Sequence, residues 1–336
     1  MTVGRRGAGR RTVLAAMALG LAVLTGCVAA PPPSDQPIGD RPVRVTTTTN
    51  FITDTVARIG GARVEVSGLM GPGVDPHLYR ASAGDVQTLR GADVIFYGGL
   101  QLEGRMADLL ADLSARQLTK AVTDDIPRDQ LLSPAPGAKE QYDPHVWFDV
   151  GLWEQVSRTI AATLAARDPA HAADYRAGLD SYLADLTALD GYVRQRLASI
   201  PPQRRLLVTS HDAFEYFGRR YGLDVAGIQG ISTAAEATTA DVERVAELIA
   251  DRGVPAVFVE SSVPPQTIDA LVAAAAQRGA QVHVGAELYT DAAGTPGTPE
   301  GTYVGMLRAN ADRIADGLGG GVHLATGVPA GGEQGG

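Results

Sequence analysis

The 336-residue chain carries 38 acidic against 29 basic residues, a formal net charge of −9 at pH 7, and one cysteine. The acidic balance argues against a nucleic-acid partner, and a single thiol excludes an intramolecular disulfide. About 280 ordered residues are expected between Arg41 and Gly319, which suits two domains of ordinary size.

At the N-terminus, Arg5, Arg6, Arg10 and Arg11 precede an uncharged apolar run over residues 12–26. That run is too short for a comfortable membrane span and has the shape of a secretory signal peptide. It ends in Leu24-Thr25-Gly26-Cys27, which resembles a bacterial lipobox and implies cleavage after residue 26 with a diacylglycerol on Cys27. Arg10-Arg11 resembles a twin-arginine signal, so the export route stays open between that and the general secretory path. Removal of residues 1–26 leaves 25 basic against 38 acidic residues, a charge of −13. Residues 28–41 are rich in Pro, Ala and Asp without apolar periodicity, and read as an extended tether. Two acyl chains suffice for stable anchoring, so the lipid bilayer is an expected partner and the outer face of the cytoplasmic membrane the expected location.

From residue 42 strand-like and helix-like stretches alternate, the pattern of α/β domains with parallel sheets. In a first lobe, 42–167, strands are expected at 43–48, 64–69, 94–97 and 120–122, and helices near 52–59, 83–90, 106–113 and 150–167. The span 168–200 differs. Asp168-Pro169 places an acid at a cap and a proline at the first helical position. Tyr175, Leu179, Tyr182, Leu183, Leu186 and Leu189 then follow a helical period up to Pro201-Pro202. Roughly 30 helical residues at about 1.5 Å each reach about 45 Å, a rigid spine between two lobes. In the second lobe, 203–318, strands are expected at 206–209, 224–228, 256–259 and 281–284, and helices near 212–221, 240–251, 266–278 and 303–318. The Gly-rich tail, 319–336, is expected to be disordered, His323 included.

Four side chains of metal-ligand type stand far apart: His77, His145, His211 and Asp291. Imidazole and carboxylate are what a first-row divalent metal takes from a protein. Two of them share a tripeptide, Asp75-Pro76-His77 and Asp143-Pro144-His145, and successive separations of 68, 66 and 80 residues exclude a local motif. A shared ion therefore requires four elements to converge. His77 and His145 belong to loops of the first lobe, while His211 and Asp291 follow strands of the second. Ligands of open α/β sheets gather beyond the carboxyl ends of strands, so the four are expected to meet in the crevice between the lobes. Pro76 and Pro144 fix the backbone before each His. Asp75 and Asp143 are expected to serve as turn residues rather than to orient the rings. Glu260, ending an apolar strand, is the reserve carboxylate, behind the site or within it. His171 and His283 are expected to be structural or exposed, and Trp147, Phe214, Tyr216 and Phe217 to be packing residues.

Five motifs occur in order: Asp75-Pro76-His77-Leu78-Tyr79, Asp143-Pro144-His145-Val146-Trp147, Ser210-His211-Asp212-Ala213-Phe214-Glu215-Tyr216-Phe217, Val259-Glu260-Ser261-Ser262 and Tyr289-Thr290-Asp291. With the lipobox before them, they resemble the metal-binding substrate-binding proteins of ABC importers, the cluster A-I or TroA-like family, over about residues 42–318. The resemblance implies two α/β lobes joined by one long helix, with zinc, manganese or iron captured between them by His77, His145, His211 and Asp291. It also implies ABC permease subunits as partners, ATP spent by a separate cytoplasmic subunit, and no enzymatic activity in this chain, which is expected to be a monomer.

Manganese- and iron-type members often carry Glu at the position of His211, and many zinc members carry a His-rich loop that is missing between His77 and His145. Three imidazoles and one carboxylate suit tetrahedral zinc, whereas a bidentate Asp291 makes manganese acceptable. One alternative is a zinc-dependent hydrolase with a three-histidine site and an open water position. No HExxH, nucleophile elbow or phosphate-cradling glycine loop supports it. A surface adhesin or sensor on the same scaffold is the other. Imidazoles with unperturbed pKa near 6.5 predict that binding weakens below about pH 6.

Overall fold

In the first lobe β1 (Val43–Thr47), β2 (Val64–Gly68), β3 (Val94–Tyr97) and β4 (Thr119–Ala121) pair in parallel, in the order β2-β1-β3-β4. Parallel strands need crossovers, and α1 (Asn50–Gly60), α2 (Ala83–Gly91) and α3 (Ala107–Ser114) supply them. A capping box starts α2: Asp85 N–H donates to the Ser82 hydroxyl while the Asp85 carboxylate accepts from Ser82 N–H. The lobe ends in α4 (Val150–Arg167), capped by Asp149, which accepts from the N–H groups of Gly151 and Leu152. The computed structural model describes residues 37–133 and 142–321. The expected signal peptide, Cys27, residues 28–36 of the expected tether, and His323 with the rest of the tail lie outside the described residues.

The second lobe pairs β5 (Leu206–His211) with β6 (Asp224–Gln229), and β7 (Ala256–Val257) with β8 (His283–Val284), all in parallel. Phe258 N–H donates to the Val208 carbonyl at 2.9 Å, which ties the two pairs together as β6-β5-β7-β8. The strand order of the first lobe is thus repeated. In each lobe the order reverses beside the first strand, the place where a crevice opens at the carboxyl ends. The expected strands over 256–259 and 281–284 are shorter here, because beyond Val257 the chains stay side by side through a single bridge, Glu260 to Leu288. The helix expected from residue 212 begins later, as α6 (Glu215–Tyr221). Ala213 N–H turns back to the His211 carbonyl at 3.0 Å, and helical bonding starts only with Gly218 N–H to Phe214. Three further helices, α7 (Thr239–Arg252), α8 (Gln266–Gln277) and α9 (Tyr303–Gly317), complete the lobe.

The spine is α5 (Ala172–Ala198), 27 residues and so about 40 Å long. Its start departs from expectation. Pro169–His171 form a 3-10 turn, and Asp168 caps nothing with its side chain. That carboxylate instead accepts the Tyr175 hydroxyl at 2.9 Å and pairs with Arg63 and His171. The helix packs against α1 and α4 of the first lobe and α9 of the second, burying Tyr175, Leu179, Tyr182, Leu186, Leu189 and Val193. Gly178 marks the crossing with α1, since a Cβ there would stand 2.1 Å from the Ile59 carbonyl oxygen. Buried residues of both lobes belong to one continuous core, with Trp153 of α4 stacked on Tyr303 of α9 at 4.9 Å between ring centres. The body also begins inside the expected tether: Ile38 is buried, and Arg41 pairs with Asp93 at 2.6 Å.

Candidate metal site

His77 lies in the loop after β2, His145 in the segment leading to α4, His211 at the last position of β5, and Asp291 in the loop beyond Leu288. The fold brings all four together. Their donor atoms lie within 4.8 Å of one another, and every one of the four residues is buried. Nε2 of His145 is 3.4 Å from Nε2 of both His77 and His211. Asp291 Oδ1 is 3.5 Å from His145 Nε2, and Oδ2 is 3.5 Å from His211 Nε2. Four donors set tetrahedrally at about 2.1 Å from a common centre are about 3.4 Å apart, a spacing that the contacts of His145 approach while the whole set lies within 4.8 Å. Apart from the His145 ring 3.5 Å away, Asp291 Oδ1 is moreover a buried oxygen with no hydrogen-bond partner, which in a native interior calls for an explanation such as an ion.

Behind the donors stand carboxylates that decide which ring nitrogen is free. Asp143 Oδ1 accepts both the backbone N–H and the Nδ1–H of His145, at 2.9 and 2.6 Å. Asp143 therefore orients the ring, contrary to the turn-only role expected for it, because its side chain folds back over its own loop onto the imidazole. The first copy of the tripeptide behaves otherwise. Asp75 Oδ1 accepts only the backbone N–H of His77 at 2.8 Å, and Oδ2 reaches across the crevice to the Thr233 hydroxyl at 2.6 Å. Glu260 is behind the site rather than within it: one oxygen accepts the His211 backbone N–H at 2.9 Å and the other takes His211 Nδ1–H. Both pairs place a proton on Nδ1, so Nε2 is the nitrogen that faces an ion, and they raise its basicity. The strand order explains the second pair, since His211 ends β5 and Glu260 follows the neighbouring β7, in the bridge to Leu288.

The Asp291 loop is held from both lobes. Ser262 Oγ donates to Asp291 Oδ2 at 3.0 Å. Trp147 Nε1–H donates to the Thr290 carbonyl at 3.0 Å, and the Tyr303 hydroxyl to the Trp147 carbonyl at 2.8 Å. Trp147, Phe214, Tyr216 and Phe217 are buried packing residues as expected, His171 pairs with Asp168, and His283 is exposed on β8. Asn50, Thr233 and Ser262 were invisible as site residues in the sequence. Ser262 alone had a signal, its place in the Val259–Ser262 motif.

Charge separates the three imidazoles. Burial pushes His77, which has no carboxylate on its ring, down to about 3. Burial opposes the charged form of His145 too, but Asp143 and Asp291 outweigh it and raise that ring to about 9. For His211 burial is likewise overcome, by Glu260 and Asp291, and its pKa rises well above the usual range. Asp291, despite burial, is held well below the ordinary carboxylate range by the imidazoles around it. The site is built to be occupied by positive charge, protons or a cation.

Known proteins resemble this chain in sequence and fold. The family model for zinc-uptake complex component A, periplasmic, matches residues 45–317. The zinc-binding protein TroA of Treponema pallidum is 44% identical over 308 residues, covering 92% of this chain and 99% of its own. The manganese-binding lipoprotein MntA of Bacillus subtilis is 42% identical over 309 residues, with the same coverage of 92% and 99%. The solved structure of periplasmic TroA from Treponema pallidum superposes with a TM-score of 0.80 at 45% identity, covering 82% of this chain and 99% of that one. The chain belongs to the zinc-uptake component A family, the cluster A-I metal-binding substrate-binding proteins of ABC importers.

Proposed function

We propose that this chain captures a divalent transition metal outside the cytoplasm at His77, His145, His211 and Asp291, and hands it to the permease subunits of an ABC importer. One observation carries the reading: four buried donors from four separate elements, with two of the three imidazoles backed by carboxylates, converge in the crevice between lobes. The metal is cargo, and the protein's work is binding. A site closed by four protein donors keeps no position for an activated water, which is how a structural zinc site differs from a catalytic one.

Lobes at 42–167 and 203–318, joined by a linking helix within 168–200, are the parts of this device. A signal peptide over 1–26 and a diacylglycerol on Cys27 keep the protein at the outer face of the cytoplasmic membrane, as a monomer on its tether. The lipobox supports that placement, as does the naming of the Bacillus subtilis relative as a lipoprotein.

Relatives of nearly equal identity are named for zinc and for manganese, so likeness does not choose the ion. Three imidazoles and one carboxylate favour zinc. Manganese and iron(II) are the competing cargoes, lower in the intrinsic affinity order. Titration of the metal-free protein with zinc and manganese, beside Asp291→Ala, tests the reading. One ion per chain is expected, with retention greatly weakened in the variant and no hydrolytic turnover in either. Robust metal-dependent hydrolysis by the purified protein would establish the zinc-hydrolase alternative instead.

A further inference from the structure

Resting on the metal-capture reading, we infer that Ser262 is an ion-preference residue, acting by making the two oxygens of Asp291 unequal as ligands. Both oxygens face imidazole nitrogens at the same distance, 3.5 Å, Oδ1 toward His145 and Oδ2 toward His211. Distance to the rings therefore gives no reason for an ion to prefer one of them. Their hydrogen bonds differ. Apart from the imidazoles, Oδ1 accepts none, whereas Oδ2 accepts from Ser262 Oγ at 3.0 Å.

The direction of that bond is fixed by proton counting. Ser262 Oγ also lies 2.7 Å from Thr290 Oγ1, and each hydroxyl has one proton. A carboxylate only accepts, so the Ser262 proton goes to Asp291 and the Thr290 proton goes to Ser262. The result is a relay, Thr290 to Ser262 to Asp291 Oδ2. Its base is fixed from below, because the neighbouring Ser261 N–H donates to the Leu288 carbonyl at 2.9 Å and the Trp147 indole holds the Thr290 carbonyl.

A hydrogen bond to a carboxylate oxygen occupies a lone pair and draws off charge, so Oδ2 is the weaker donor and Oδ1 the full ligand. With three imidazoles this gives four strong bonds, the number zinc prefers. Manganese favours more oxygen ligands and gains most from a symmetric two-oxygen grip, which Ser262 weakens. Glu260 and Ser262, two residues apart on one turn, then tune different ligands. Glu260 makes His211 a better donor, and Ser262 makes half of Asp291 a poorer one.

The test compares competitive zinc and manganese titrations of the full-length protein, Ser262→Ala and Ser262→Thr. Losing the hydroxyl in Ser262→Ala is expected to lower the zinc-over-manganese preference roughly tenfold, the scale on which groups behind a ligand act. Cobalt(II)-loaded Ser262→Ala should show weaker visible absorption than the parent, as four-coordination gives way to five. Ser262→Thr keeps the hydroxyl and should restore both. An unchanged preference with an unchanged cobalt spectrum overturns the inference. So does an equal loss of both ions with the parental spectrum, which would reduce Ser262 to structural support. A parent protein that binds neither ion would instead overturn the capture reading beneath it.

Discussion

The side-chain amide of Asn50 and the backbone of Ala293 exchange two hydrogen bonds, each 2.8 Å, between the start of α1 in the first lobe and the Asp291 loop of the second. The ligand is thereby anchored to the lobe opposite its own sheet. Asn50→Ala leaves a backbone N–H and carbonyl without partners, which costs about 1–3 kcal/mol for a buried pair. We predict a lower unfolding temperature and a faster metal off-rate, followed by competition with a chelator. A variant that unfolds earlier yet releases metal at the parental rate would show that the anchor supports the fold without holding Asp291.

The carboxylates behind the rings should act selectively. Glu260 and Asp143 each take a ring N–H, whereas Asp75 touches only the backbone of His77. Glu260→Gln and Asp143→Asn are expected to lower metal affinity about 10–100-fold, the usual scale for partners of a metal-binding imidazole. Asp75→Asn should leave affinity nearly unchanged, because the His77 ring does not depend on it. Calorimetric titration of the three variants checks the contrast, and equal losses in all three would contradict it.

Shared core and spine limit motion. Because α5 packs on helices of both lobes and one hydrophobic core runs through them, opening the crevice widely would break packed contacts. Solution scattering curves of metal-free and metal-loaded protein should therefore be nearly superimposable. A large compaction on loading would argue for a flexible hinge.

Most helices are legible in the sequence to within two residues, since their apolar period repeats: the helix expected over 150–167 is observed at Val150–Arg167, while the spine and α6 start later than expected. The last two strands of the second lobe were overestimated, because β7 and β8 keep only two paired residues each and an apolar run does not say where pairing stops. The donor set was legible from residue type and motif order. What stood behind it was not. Asp75-Pro76-His77 and Asp143-Pro144-His145 are one tripeptide with two outcomes, decided by Thr233 across the crevice in the first and by an adjacent ring in the second. Tertiary neighbours make that choice, and local sequence does not carry them. Asn50 is a similar case, its partner lying 243 residues away.

Gly178 gives a prediction that runs against helix propensity. Alanine is the better helix former by about 1 kcal/mol in an exposed helix interior. Here the added methyl would meet the Ile59 carbonyl oxygen at 2.1 Å, and the atoms it meets are backbone, which cannot swing away as a side chain could. Gly178→Ala should therefore destabilise the protein, by about 1–3 kcal/mol for overpacking of this kind, read from denaturant unfolding. The same change at Gly191, which has open space around it, should be neutral or stabilising. Equal effects at the two positions would mean that α1 and α5 do not cross as closely as described.

The stability of the metal-free protein and its affinity for metal should depend on pH with opposite signs. Free of metal, the fold holds protons on His145, raised to about 9, and on His211, raised further. A group whose folded pKa exceeds its unfolded value of about 6.5 stabilises fully below that value and loses its contribution as pH climbs through the folded one. The metal-free protein should thus lose stability between about pH 6.5 and 9, by on the order of 3 kcal/mol from His145. Metal binding must displace those protons, so affinity should keep rising over the same window. This corrects the expectation that binding merely weakens below about pH 6: that rested on unperturbed imidazoles, and Asp143, Glu260 and Asp291 perturb two of them. His77, lowered to about 3, is already bare and adds no slope. Unfolding midpoints of the metal-free and loaded protein at a series of pH values should diverge as pH rises, with protons released on loading near neutrality. Parallel curves and no proton release would mean that the carboxylates do not charge the imidazoles they face.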